Sequence, residues 1–264
     1  MTGQRGMIWV GGGLLLVLIY AASSVLIWDL GRGAAPGIPP FLSLDHVLGT
    51  DIEGRDWVRE LAGAGFADAA TVLMATTVGM LVAFFLGCLG GAGLPGSRAF
   101  LRSFSAVSVL LVVLAGLAII DSHEARPSDP RQLALLMIVL LGVAAAAEPA
   151  ERFRQILKAE QKTPHYRAAA ELGVLPMQRF MRHALPAIWA EFRAAFYRMS
   201  IGLTAVVLTL NFLIPGGGAA SLGDLIAREV GRFDPDQWWH LANPVAVVIL
   251  VLLALCLLSE GRRR

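Results

Sequence analysis

Few side chains in this sequence have the type and spacing that catalysis requires. His123 and Glu124 are adjacent, but no His follows at the spacing of a zinc-protease helix, so the pair predicts a loop rather than a metal site. The glycine run 216–218 lacks the Lys of a phosphate-binding loop, so we expect no ATP bound to this chain. The sequence therefore predicts a protein that is not an enzyme and holds no metal or cofactor of its own.

The remaining reactive side chains are predicted to be structural. Cys88 and Cys256 lie inside apolar runs, where cysteine packs as a small hydrophobic residue. His165 and His183 lie in a basic interval without the carboxylates that would complete a metal site. We expect His183 to fix a short helix in place rather than to bind a metal.

The longest charged interval contains residues 163–186, which we name the Ala-rich segment. Thr163 is a suitable N-cap for a helix, and Gly173 is placed to end that helix in a left-handed turn. Pro176 is suited to open a second short helix, which is predicted to stop before Pro186. A smooth helix of small residues with basic flanks is suited to binding by a partner protein.

The composition indicates the class of protein. Hydrophobic residues make up 56% of the 264 residues and charged residues only 16%, which is too apolar for an ordinary soluble domain. Six runs approach the roughly 17–25 residues that cross a bilayer. They are about 7–28, 67–91, 103–120, 133–147, 194–214 and 244–259. The predicted fold is an all-α polytopic membrane protein with about six transmembrane helices.

Lys and Arg are distributed unevenly between alternate loops. With the N-terminus inside, the inner loops carry roughly twice as many as the outer loops, which predicts cytoplasmic N- and C-termini and a cytoplasmic Ala-rich segment. Residues 1–66 are predicted to form an N-terminal transmembrane helix plus a periplasmic loop. Residues 67–264 are predicted to form a five-helix core with a cytoplasmic loop at about 148–193. The first run also has signal-peptide features, but its continuous apolar character favours an uncleaved span.

A polar turn cluster at residues 45–56, which we name the His46 loop, precedes the second predicted span. Gly49 and Gly54 permit tight turns. Asp51 and Asp56 are suited to accept hydrogen bonds from the neighbouring backbone. On these grounds we expect a set of tight turns at the outer side of the membrane.

Two motifs resemble those of the membrane subunits of ATP-binding-cassette (ABC) importers. The Ala-rich segment resembles their cytoplasmic EAA loop, Ala-Ala-x3-Gly-x11-Leu-Pro, with Arg167 in place of the leading Glu. The His46 loop resembles the H-P-L-G-T-D-x-x-G-R-D signature of one membrane subunit of dipeptide, oligopeptide and nickel importers, with Val47 in place of the Pro. The matching residues are Ala168, Ala169, Gly173, Leu185 and Pro186 in the first motif, and His46, Leu48, Gly49, Thr50, Asp51, Gly54, Arg55 and Asp56 in the second.

The resemblance implies a type I ABC importer permease fold in the bacterial inner membrane. Such a subunit forms half of the translocation path for a small solute, most often short peptides or a nickel chelate. The implied partners are a second homologous permease subunit, two cytoplasmic ATPase subunits that hold ATP and Mg, an extracytoplasmic substrate-binding protein and membrane lipid, but no nucleic acid. The implied ATPase contact involves Tyr166, Arg167, Ala168, Ala169, Ala170, Glu171, Gly173, Leu185 and Pro186, and the His46 loop is implied to support the outer gate.

Ionisable residues are almost absent from the predicted spans, and Glu191, Arg193 and Arg198 cluster near the start of the fifth. Thr204, Thr209 and Asn211 lie deeper in that span, where they either line a path or hydrogen-bond between helices. Two alternatives to a peptide or nickel importer stay open. One is an importer subunit for another solute, such as an opine, a sugar or a siderophore-like compound. The other is a non-transporting scaffold or sensor that keeps the ATPase-docking loop.

Overall fold

The computed structural model describes residues 37–42, 46–91, 130–213 and 221–260. These residues are mainly helical, with one isolated antiparallel bridge between Thr50 and Asp56. The helices are α1 (Trp57–Gly91), α2 (Pro130–Ala145), α3 (Ala147–Glu160), α4 (Pro164–Glu171), α5 (Pro176–Arg179), α6 (Leu185–Leu213), α7 (Leu222–Gly231) and α8 (Trp239–Glu260). A π-helical turn, Phe180–Ala184, joins α5 to α6, and a 3-10 turn, Pro235–Gln237, precedes α8.

Three helices among the described residues are long and apolar enough to cross a membrane, namely Trp57–Gly91, Pro176–Leu213 and Trp239–Leu257. A fourth candidate arises if Ala134–Ala145 and Ala147–Glu160, which meet at 42°, count as one bent span. These helices correspond to the second, fifth, sixth and fourth predicted spans. The first and third predicted spans lie outside the described residues. The all-helical membrane fold is confirmed at this level, while the count of six and the orientation of the termini stay predictions.

The helices α1 and α8 begin earlier than the sequence predicts. α1 begins at Trp57 rather than at residue 67, and α8 begins at Trp239 rather than at residue 244. The early start of α1 follows from Asp56, whose Oδ1 accepts the backbone N–H of Val58 at 2.8 Å and of Arg59 at 3.3 Å. This side chain caps the first turn, so the helix extends through charged residues that hydropathy assigns to a loop.

The prediction that a helix stops before Pro186 is wrong. Pro186 has no N–H to bond the carbonyl four residues before it, so a regular α-helix is interrupted there. The chain instead widens into the π-helical turn, in which the N–H of Leu185 bonds the carbonyl of Phe180, five residues earlier. Because the π-helical turn accommodates Pro186 without a break, the helix continues to Leu213. The fifth span therefore has no separate start at residue 194.

The chain forms two compact units. The first comprises the described residues within Met1–Val72 and Thr204–Arg264, and the second comprises Leu73–Leu203. The core of the first unit consists of buried apolar side chains on α1 and α7, namely Trp57, Leu61, Ala64, Leu222 and Leu225.

In the second unit, small residues let helices approach closely. A Cβ added to Gly142 in α2 would lie 2.6 Å from the carbonyl oxygen of Ala75 in α1. In the same unit, α3 and α6 contact each other through the stacked rings of Phe153 and Phe192, whose centroids are 6.0 Å apart. Close backbone approach at small residues is how helices associate in a bilayer, where burial of apolar surface gives little driving force.

We predict that Gly142→Ala lowers the free energy of unfolding by about 1–3 kcal/mol, because the added methyl group overlaps the backbone of α1. Gly202→Ala is the matched control, since a Cβ at Gly202 in α6 meets no atom within 4 Å. Ala there should be neutral or stabilise by up to about 1 kcal/mol. Unfolding of the purified chain in mixed micelles measures both, and equal effects would contradict the close approach.

Candidate functional site

The Ala-rich segment begins where the sequence predicts, but not by the predicted cap. Thr163 has the extended backbone of an N-cap residue, and Pro164 follows as the first residue of α4. The hydroxyl of Thr163 donates to the carbonyl oxygen of Glu160 at 2.6 Å and does not cap α4. The carbonyl of Glu160 at the end of α3 therefore accepts both the hydroxyl and the backbone N–H of Thr163, the latter at 3.0 Å.

The turn at Gly173 has the predicted form. Gly173 has φ of +76°, in the left-handed region that favours glycine. Its N–H bonds the carbonyl of Ala170, and the N–H of Val174 bonds the carbonyl of Ala169, both at 3.0 Å. These two bonds form a Schellman motif, which ends α4 sharply and directs the chain towards Pro176.

Ring contacts hold α4 against the start of the next helix. The guanidinium of Arg179 lies over the ring of Tyr166, 5.3 Å from its centroid. The ring of His183 lies 5.1 Å from that of His165 and 6.2 Å from that of Tyr166. His165 Nε2 is also 2.7 Å from Glu160 Oε1. Tyr166 therefore holds α4 against α5 and the π-helical turn that follows it. The sequence reasoning missed this role.

The face that the Ala-rich segment leaves exposed is apolar. No residue of α4 or α5 is buried. Leu172, Leu175 and Met177 are 83%, 62% and 67% exposed, and we name these three residues the apolar tip. The sequence reasoning missed them, although apolar residues in a charged interval are a usable signal. Of the predicted contact residues, the exposed ones are Arg167, Ala168, Ala170, Glu171, Gly173 and Pro186, while Tyr166, Ala169 and Leu185 are half-buried.

The His46 loop is folded around a buried carboxylate. Asp51 is 4% exposed, and its Oδ1 accepts the N–H groups of Glu53 and Arg55, each at 2.8 Å. Its Oδ2 accepts a hydrogen bond from Arg55 Nε at 2.8 Å. Burial disfavours the charge on Arg55, but the bond to Asp51 and the nearby carboxylates of Glu60, Asp51 and Glu53 raise its pKa above the usual value. The predicted role of Asp51 as a local acceptor is confirmed.

The other signature residues complete the same fold. Gly49 and Gly54 have φ of +79° and +77°, as the predicted turns require. Thr50 is fully buried, and its Oγ1 accepts the N–H of Ile38 at 2.9 Å. His46 Nδ1 lies 2.6 Å from Oδ2 of Asp56, the residue that caps α1.

A side-chain amide of α8 bonds this loop. Asn243 Nδ2 donates to the carbonyl oxygen of Leu48 at 3.1 Å. The carbonyl oxygen of the next residue, Gly49, accepts the N–H of Trp57 at the start of α1, at 3.2 Å. The loop is therefore a compact cap on the ends of two apolar helices, and Asn243 is a contact residue that the sequence reasoning did not identify.

The residues predicted either to line a path or to hydrogen-bond between helices differ in their surroundings. Thr209 is exposed, but its hydroxyl donates to the carbonyl of Ala205 in its own helix at 2.8 Å. Thr204 is buried. Asn211 donates to the carboxylate of Asp68, at 3.3 Å. Asp68 lies inside α1 and is missing from the sequence reasoning, although an acidic residue in an apolar run is a functional candidate.

Within the described ranges, no group of three or more His, Cys, Asp or Glu side chains is arranged to hold a metal ion. The site consists instead of two surfaces on apolar helices. One is the Ala-rich segment with its apolar tip, and the other is the His46 loop. The exposed apolar side chains of the first surface are suited to contacts with other proteins.

Comparison with known proteins gives relatives of one kind. The chain is 28% identical to proteins of Brucella suis biovar 1 and Brucella abortus biovar 1 named "putative peptide transport system permease protein", over 95% of this chain and 84% of each relative. It is 27% identical to the "probable D,D-dipeptide transport system permease protein" of Escherichia coli, over 86% of this chain and 74% of the relative. No family model matches the chain.

The similarity to membrane permeases agrees with the presence of helices that are long and apolar enough to cross a membrane. Together they show a multi-pass membrane protein that is similar to transport permeases along nearly its whole length. The prediction of a multi-pass membrane protein is thereby confirmed. The roles predicted for individual residues of the two surfaces stay predictions.

We predict that Asp51→Ala lowers the free energy of unfolding by about 1–3 kcal/mol, because it removes the buried carboxylate that accepts two backbone N–H groups and the Nε of Arg55. Glu53→Ala is the control, since Glu53 is 53% exposed and its closest ion pair, to Arg55, measures 3.2 Å. Its effect should be within about 1 kcal/mol. Unfolding in mixed micelles decides, and a comparable loss in both variants would contradict the role of Asp51.

Proposed function

We propose that this chain is the transmembrane permease subunit of an ABC importer in the bacterial inner membrane. It forms half of the translocation path for short peptides and couples to a separate ATPase through the Ala-rich segment. A second permease subunit, two ATPase subunits and an extracytoplasmic binding protein complete the importer. Similarity to permeases of peptide transport systems over 95% of the chain supports this proposal and favours peptides over a nickel chelate.

One observation carries the ATPase contact. The Ala-rich segment is braced from within by Tyr166, Arg179 and His183, yet it leaves the apolar tip exposed. Exposed apolar side chains on a rigid support are characteristic of a protein interface. Because the helix runs without interruption from Pro176 to Leu213, a displacement of the tip is transmitted into a helix able to cross the membrane.

Purification from native membranes in mild detergent tests the assembly. We expect the tagged chain to bring with it a second permease, two ATPase chains and a secreted binding protein, each identified by mass. Uptake of a tritiated dipeptide by cells then tests the substrate class. If the ATPase is recovered but the second permease is not, and the cells take up no dipeptide, the scaffold or sensor is favoured. Uptake of a different solute would correct the proposed substrate.

We predict that Leu172→Asp combined with Leu175→Asp weakens binding of the ATPase by at least about tenfold, because a charge replaces each exposed apolar contact. Gln178→Asp is the matched control, since Gln178 in α5 is also exposed and already polar. Recovery of the ATPase during purification measures the effect. Equal recovery from the double variant and the control would exclude the apolar tip from the interface.

We also predict that Gly173→Pro abolishes dipeptide uptake while the chain still inserts in the membrane. Proline fixes φ near −65°, whereas Gly173 has φ of +76°, so the Schellman turn is unable to form. Gly173→Asn is the control, because Asn tolerates the left-handed region and should retain most of the uptake. Uptake per inserted chain, with insertion measured by membrane fractionation, compares the two. Normal uptake by the proline variant would refute the role of this turn.

A further inference from the structure

A buried carboxylate joins three helices of the first unit. Asp68 in α1 is 7% exposed. Its Oδ2 accepts the backbone N–H of Leu222, the first residue of α7, at 2.9 Å. Its Oδ1 accepts a hydrogen bond from Asn211 Nδ2, near the end of α6, at 3.3 Å. We name these three residues the Asp68 cluster.

The first turn of α7 is seated directly on the end of α6. A Cβ added to Gly223 would lie 2.4 Å from the carbonyl oxygen of Leu208, so this site has no room for a side chain. Ser221 caps the same turn by accepting the N–H of Asp224 at 3.1 Å. Two side chains therefore satisfy two of the N–H groups of this turn, one local and one 154 residues away in sequence.

The charge of Asp68 suits this position electrostatically but is costly to bury. The N-terminus of α7 carries a partial positive charge that favours a carboxylate. A neutral amide or hydroxyl would also accept a hydrogen bond, at a smaller desolvation cost. A buried carboxylate favours the arrangement that keeps its hydrogen bonds, because a movement that breaks them leaves the charge without a partner.

We propose that Asp68 is a positioning residue for transport, and this inference rests on the proposed function. Its carboxylate holds the N-terminal turn of α7 against α1 and α6, and it sets the orientation of the Asn211 amide, which the sequence predicts either to line the path or to hydrogen-bond between helices. Loss of the charge releases the first turn of α7 more often and disturbs the path. Asp68 thus acts through α7 and Asn211, without contact to the solute being required.

Thiol accessibility tests the proposal in the full chain in native membranes. Cys88 and Cys256 are replaced by Ala, and Leu225→Cys supplies a reporter that is 2% exposed in α7. Asp68→Asn keeps the shape of the side chain but removes its charge. We expect this substitution to increase the rate of labelling at residue 225 by a membrane-impermeant maleimide about tenfold, because charge-assisted hydrogen bonds are lost. Val230→Cys, at a site that is 49% exposed, is the control and should label equally with either residue at 68.

Exchange of the two partners tests the contact itself. Asp68→Asn combined with Asn211→Asp returns a carboxylate to the cluster, and we expect it to slow labelling and to restore dipeptide uptake relative to Asp68→Asn alone. A merely structural role would instead lower the free energy of unfolding in micelles and leave labelling and uptake per folded chain unchanged, which would overturn the proposal. Equal labelling of the single and exchanged variants would overturn it too.

Failure of this inference is distinguishable from failure of the proposed function. If the unsubstituted chain supports no dipeptide uptake, the peptide importer is refuted. The labelling comparison at residue 225 needs no transport and still decides whether the charge of Asp68 holds α7 in place.

Discussion

The missing N–H of Pro186 is the constraint on which the arrangement of the Ala-rich segment depends. A proline inside an α-helix commonly produces a kink or a break. Here the bond from Leu185 to the carbonyl of Phe180 widens the preceding turn, so the helix is not broken. The short α5 and the apolar α6 are consequently parts of one 38-residue helix. A loop at this point would absorb movement, whereas a continuous helix transmits it.

The same π-helical turn also supplies the surface on which α4 rests. His183 lies within the turn, and its ring contacts those of His165 and Tyr166. The π-helical turn thereby accommodates Pro186 and also holds α4 in place. Bracing matters for binding, because a partner that docks on a pre-ordered surface does not have to order it first. The exposed apolar tip is therefore suited to bind without a large entropic cost.

Sequence reasoning succeeded where neighbours in the chain decide the structure. The left-handed turn at Gly173 and the acceptor role of Asp51 follow from residue type and local hydrogen bonding. It failed where two rules compete or where spacing carries no information. Proline as a helix stop lost to the π-helical turn, and hydropathy placed the start of α1 too late because it ignores the cap at Asp56. Helical periodicity also did not reveal which way Tyr166 faces.

Buried polar groups show the same division between near and distant partners. In the His46 loop, Asp51 bonds the N–H groups of residues two and four positions away. Asp68 bonds partners 143 and 154 positions away, which no local pattern encodes. Local bonds form as soon as the turn forms, and they stabilise only that turn. Bonds between distant helices exist only when those helices are packed, so their breaking and forming follow the packing. A carboxylate such as Asp68 is consequently better placed than the loop to influence a movement of the helices.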